Sequence, residues 1–173
     1  MRLLVLALCL AACTPPAPPA SPPPAAESVA ANTPANPYIA ALSAAPAPGQ
    51  WSFLGEDATI SAGFGEPESE YQLVIVCNSA TGALTVDVSH ELAPDQATTL
   101  RLVTATQTLD LPARSHNAGL PSVRADIAGD APEKLPLIGM LGAPTDRFAI
   151  EIAGQITVFP WRDAIARALI ACR

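Results

Sequence analysis

The chain has 173 residues, 50% of them hydrophobic and 14% charged, with a formal net charge of −7. No apolar run reaches the ~18–20 residues a spanning helix needs, and 16 acidic against 9 basic residues leave no basic stripe for nucleic acid. Eleven of the 19 prolines fall in the first 50 residues beside much of the alanine, so the hydrophobic fraction does not describe one large core.

Met1-Arg2 is a short positive start, Leu3 to Leu10 is apolar, and Leu10-Ala11-Ala12-Cys13 places small residues before a cysteine. That order predicts a secretory signal peptide over residues 1–12. Leu-Ala-Ala-Cys also resembles a bacterial lipobox. The resemblance implies that Cys13 becomes the first mature residue and carries a thioether-linked diacylglycerol. Its partner is then a membrane, held through two or three acyl chains at about 0.8 kcal/mol per buried methylene. Thr14, rather than an aspartate, follows Cys13. By the same resemblance, this implies the periplasmic face of the outer membrane in a Gram-negative cell.

Residues 13–50 read as the lipidated cysteine and a Pro/Ala-rich disordered tether. Pro15-Pro16, Pro18-Pro19 and Pro22-Pro23-Pro24 favour extended polyproline II, and Glu27 is the one charge. Within the tether, residues 36–45 fit a short helix. From Trp51 the composition shifts, and residues 51–173 suffice for one β-rich globular domain.

Strands are predicted in sequence. Residues 58–62 alternate. Residues 71–77 are apolar at nearly every position, as in a strand covered on both faces. The turn cluster 78–82 joins them to the alternating 84–88 as a hairpin. Residues 100–103 and 108–111 follow as a meander, then 123–127. Residues 148–152 and 155–159 flank Ala153-Gly154, a two-residue hairpin loop. Gly63-Phe64-Gly65 reads as a strand bend.

Two helices are predicted. Residues 133–141 fit a short one, interrupted by Pro136 and ending at Gly142. In the second, Pro160 suits the first turn, and Trp161, Ile165, Ala168, Leu169 and Cys172 share one face. The fold class is therefore mainly β: an antiparallel sandwich or half-open barrel with a C-terminal helix docked by a disulfide.

Of four cysteines, Cys9 leaves with the signal and Cys13 takes lipid. Cys77 and Cys172 remain for a bridge, as export into an oxidising compartment permits. Two thiols without nearby histidines are too few for a metal. No Walker or nucleophile-elbow motif is present, so no cofactor, metal or catalytic residue is expected. His90 and His116 fall in predicted loops. Asp110 and Asp126 lie on separate strands with nothing to pair them. Glu66, Glu68 and Glu70 form an acidic turn cluster that can meet a basic partner.

The strand Leu73-Val74-Ile75-Val76-Cys77, with Val158-Phe159-Pro160-Trp161-Arg162 and the closing Ala171-Cys172-Arg173, resembles a family of exported alphaproteobacterial proteins. Arg162 departs from the acidic residue common there after Pro-Trp. The resemblance implies the fold and the disulfide and brings no activity with it. Strand-Cys and terminal-Cys placement is also similar to accessory lipoproteins of type VI secretion. The Ser-Gly-x-x-Tyr motif of lysozyme-inhibitor lipoproteins is missing.

The functional expectation is a membrane-anchored, non-enzymatic module that binds an envelope protein or cell-wall partner, or scaffolds the envelope. The alternatives are an inhibitor of a periplasmic or invading hydrolase, acting through loop 64–70, and an accessory protein of a secretion system.

Overall fold

The computed structural model describes residues 37–117 and 119–173. Among the described residues, nine strands form one antiparallel sheet in the order β1-β2-β3-β4-β7-β6-β5-β8-β9. They are β1 (Gln50–Glu56), β2 (Thr59–Gly65), β3 (Leu73–Asn78), β4 (Ala83–Ser89), β5 (Ala97–Val103), β6 (Thr108–His116), β7 (Ser122–Ile127), β8 (Arg147–Ile152) and β9 (Gln155–Pro160). The helices are α1 (Pro37–Ala41), α2 (Lys134–Gly142) and α3 (Asp163–Ile170). The sheet curls into a half-barrel. A single curled sheet settles the alternative of two stacked sheets, because β7 leaves β4 and hands the ladder on to β6 without a break.

The alternation of each strand divides its side chains between two faces. Leu73, Ile75 and Cys77 of β3, Leu84, Val86 and Val88 of β4, and Val123, Ala125 and Ile127 of β7 line the concave face and are buried. Phe148, Ile150 and Ile152 of β8 continue that face. Leu137, Ile138, Met140 and Leu141 of α2 and Ile165 and Leu169 of α3 fill the hollow as part of the same cluster. Phe64, Phe148 and Phe159 pack within it, with Phe64–Phe159 edge-on at 5.4 Å and Phe148–Phe159 stacked at 5.7 Å. The predicted α3 face is the observed one: Trp161, Ile165, Ala168, Leu169 and Cys172 are all buried.

The bridge Cys77–Cys172 joins the strand β3 to the turn after α3, with Cα atoms 5.8 Å apart. It closes a separation of 95 residues. A loop of that size corresponds to about 4–5 kcal/mol in the chain-entropy model.

Five local expectations change. β3 is covered on its concave face alone: Val74 and Val76 on the other face are half-buried, because no element among the described residues packs over them. Pro160 ends β9 rather than opening the helix, paired with Arg147 of β8, and α3 begins at Asp163. Proline is tolerated there because β9 is an edge strand. His116 is the last residue of β6, not a loop residue, since its pairing with Ser122 extends the strand. β1 is not predicted, because its Gln50-Trp51-Ser52-Phe53 alternation is short and breaks at Leu54-Gly55. Packing also starts before Trp51. Tyr38 and Leu42 lie against Val103, Ala149 and Val158 on the convex face, and Ala47 N–H donates to the Val158 carbonyl (2.7 Å). Burial of those two side chains offsets the cost of ordering the segment.

The β8–β9 turn follows its prediction. Ala153 (φ 50°) and Gly154 (φ 84°) both take left-handed conformations, as a tight hairpin loop requires. The Gly154 N–H donates to Glu151 Oε1 at 2.6 Å.

Candidate functional site

The convex face of β3, β4, β7 and β6 carries the polar halves of the same alternating strands. Register fixes who stands beside whom. Val74 faces Asp87, and Asp87 faces Arg124. One step along, Ser89 faces Ser122, and Ser122 faces His116. These residues line a groove of about 220 Å³, walled by Glu70 and Tyr71 on one side and Leu120 and Pro121 on the other.

Each wall has a local cause. The Tyr71 ring lies over Gly63, where an added Cβ would come within 2.8 Å of the ring and displace it. Gln72 N–H closes the loop by donating to the Phe64 carbonyl at 2.7 Å. On the far side, Ser122 Oγ donates to the His116 carbonyl (3.2 Å), holding the β6–β7 turn. His90 N–H donates to the Pro121 carbonyl (3.3 Å), so the backbones of both histidines reach this end of the sheet. His116 lines the groove.

Arg124 donates through Nε (2.9 Å) and Nη2 (2.6 Å) to a single oxygen, Asp87 Oδ2. The pair is partly exposed, at 35% and 18% of the side chains. Two donors on one oxygen leave Arg124 Nη1 and Asp87 Oδ1 without a hydrogen bond among the described residues, so both stay available to a ligand.

The acidic cluster borders this groove. Glu66, Glu68 and Glu70 are all exposed on the β2–β3 loop, where Glu68 adopts φ 61°. The loop, with Gln50 and Ser52, bounds a shallow hollow of about 620 Å³ that shares Glu70 and Tyr71 with the groove. A third concavity of about 590 Å³ lies between β1 and the start of α3. Its tryptophans have structural partners. Trp51 Nε1 donates to the Pro160 carbonyl (2.6 Å) and Trp161 Nε1 to the Leu141 carbonyl (2.7 Å).

The two strand aspartates have separate partners. Asp110 binds Arg101 through both oxygens, at 2.6 and 2.8 Å. Hydrogen bonding to Arg101 holds the Asp110 carboxyl below its ordinary range and outweighs the opposing cost of desolvation. Glu151 lies 3.6 Å from the same guanidinium, whose other face meets the Tyr38 ring at 4.7 Å. Asp126 accepts from Thr85 Oγ1 at 2.9 Å. Among the described residues no three His, Cys, Asp or Glu side chains gather as a metal site.

Cys13 lies outside the described residues. Cys77 and Cys172 serve the core and are remote in role from the groove. Sequence reasoning missed Tyr71, Asp87, Ser89, Ser122 and Arg124. Their signal was present as the polar phase of strands 84–88 and 123–127, but which polar residues meet depends on β4 pairing with β7.

Comparison of the chain with family models, with curated proteins and with solved structures gives no match.

Proposed function

We propose that the chain is a lipid-anchored envelope protein whose β-domain binds a partner and does not turn one over. Cys13 is the attachment point and the Pro/Ala-rich stretch the spacer. The observation that carries this reading is the Cys77–Cys172 bridge, found in a chain whose first 13 residues follow the sequence pattern of a lipoprotein signal. Such bonds persist in oxidising, exported compartments. The binding face is the convex groove of β3, β4, β7 and β6, where charged, hydroxyl and aromatic side chains converge.

Two measurements test it. Cys13→Ser should move the protein from the membrane to the soluble fraction; unchanged retention removes the anchor. A photo-crosslinking residue at Leu120 should capture a partner in intact cells, while one at Gln107, on the β5–β6 turn, should not. Equal labelling or none at both positions removes the binding face.

A second reading rests on the exposed loop 66–70, whose three carboxylates suit the basic cleft of a periplasmic or invading hydrolase. An excess of purified protein should then slow a lysozyme or protease with such a cleft. Full enzyme activity in that excess excludes it.

A further inference from the structure

The groove has chemically unlike ends. Glu70 and Tyr71 stand at its β3 side, and His116 stands on β6. The intervening order is β3-β4-β7-β6, which is three strand spacings. At about 4.8 Å each, these come to roughly 14 Å. An extended peptide advances about 3.3–3.6 Å per residue, so about four residues would cross the groove.

Charge fixes the direction. Glu70 and the free oxygen of Asp87 offer acceptors toward β3 and β4. Arg124 Nη1 and the His116 ring offer donors toward β7 and β6. Ser89 and Ser122 hydroxyls lie between, and Val74, Leu120 and the Tyr71 ring supply apolar contact. A ligand with a single anion would leave Glu70, the lining carboxylate with no ion pair among the described residues, unmatched. A ligand with a single cation would leave Arg124 Nη1 without an acceptor, since Asp87 holds only Nε and Nη2. A ligand bearing one charge of each sign, well separated, satisfies both ends. The 220 Å³ volume also keeps it below drug size, for which pockets run about 300–1,000 Å³.

We propose that this groove binds a short peptide with free termini, three or four residues long. Its ammonium lies toward Glu70, and its carboxylate lies on Arg124 and His116. The inference rests on the binding reading above and adds the ligand class to it. Arg124 is the anchor because Asp87 holds its guanidinium in place, so less side-chain freedom is lost on binding.

The test is an NMR titration of the purified full-length chain with trialanine, its N-acetyl form and its C-terminal amide. Trialanine should shift the Tyr71, His116 and Leu120 signals. Blocking either terminus should weaken binding by about tenfold or more, as loss of a charge-assisted contact does. Arg124→Gln should make trialanine and its amide bind alike. His116→Gln keeps the Arg124–Asp87 pair and should narrow the same preference, which covers the case in which Arg124→Gln fails to fold. Equal binding of all three peptides, or no shift at millimolar peptide, overturns the proposal. If crosslinking from Leu120 still captures a partner, only the peptide assignment falls; if it also fails, the binding face falls with it.

Discussion

Cys77 and Leu84 face each other across the β3–β4 hairpin, and the bridge from Cys77 brings Cys172 to the end of that hairpin. Cys172 Sγ lies 3.3 Å from the Ala83 carbonyl, so the helix terminus seats on the hairpin rather than hanging from a bond. The bridge therefore fixes α3 over the inner face of β1, β2 and β3, which α3 contacts.

Cys77→Ala and Cys172→Ala should each destabilise the fold by about 2–5 kcal/mol, and the double variant should cost little more than either alone. Both single changes remove the same loop closure. Urea unfolding under non-reducing conditions measures this. Additive costs would mean that the two side chains contribute by packing rather than by the bond.

The Arg101–Asp110 pair predicts a pH dependence with a definite sign. The folded-state pKa of Asp110 is lowered. Its contribution is thus present above the unfolded value near 3.9 and is lost as pH falls through the lower folded value. Asp110 is 54% exposed at its side chain, so solvent screening limits the effect to about 0.2–1 kcal/mol. The stability difference between the native protein and Asp110→Asn should be flat near neutrality and shrink toward zero in acid. Added salt should reduce it at every pH. A difference that grows on acidification would contradict the pairing.

Gly129 packs directly on the β3–β4 turn, where an added Cβ would overlap the Thr81 carbonyl oxygen. Both partners are backbone and neither can rotate away. Gly129→Ala should cost about 1–3 kcal/mol by overpacking. Gly139→Ala, with open space around its Cβ and a helical position in α2, should be neutral or stabilising by up to about 1 kcal/mol. Thermal unfolding of the pair separates the two cases.

Leu42 and Tyr38 cover the small convex cluster of Val103, Ala149 and Val158. Leu42→Ala should lose about 1–2 kcal/mol, since a half-buried leucine contributes less than a core one. Hydrogen exchange should speed up at the Ala47 amide, which bonds the Val158 carbonyl, and should leave β3 and β4 unchanged. Uniform acceleration throughout the sheet would mean that the segment is integral to the core.

Much of the fold was legible locally. The unbroken apolar run at Leu73 to Cys77, the alternation at Leu84 to Val88 and the Ala153-Gly154 turn each report a strand or hairpin through nearest neighbours alone. The α3 face was legible because Trp161, Ile165, Leu169 and Cys172 repeat at helical spacing. The groove was not legible in this way. Asp87 and Arg124 are 37 residues apart, and no periodicity links them. His116 looked like a loop residue until β7 paired with it.

The sequence by itself determined every strand but β1, and the helical face, because these follow from backbone periodicity. Tertiary structure decided that one sheet curls in place of two stacking, that α1 joins the packed unit, and that Arg124, His116, Glu70 and Tyr71 share a surface. Those outcomes depend on which strands become neighbours, and antiparallel pairing sets that through long-range contacts rather than through any local signal.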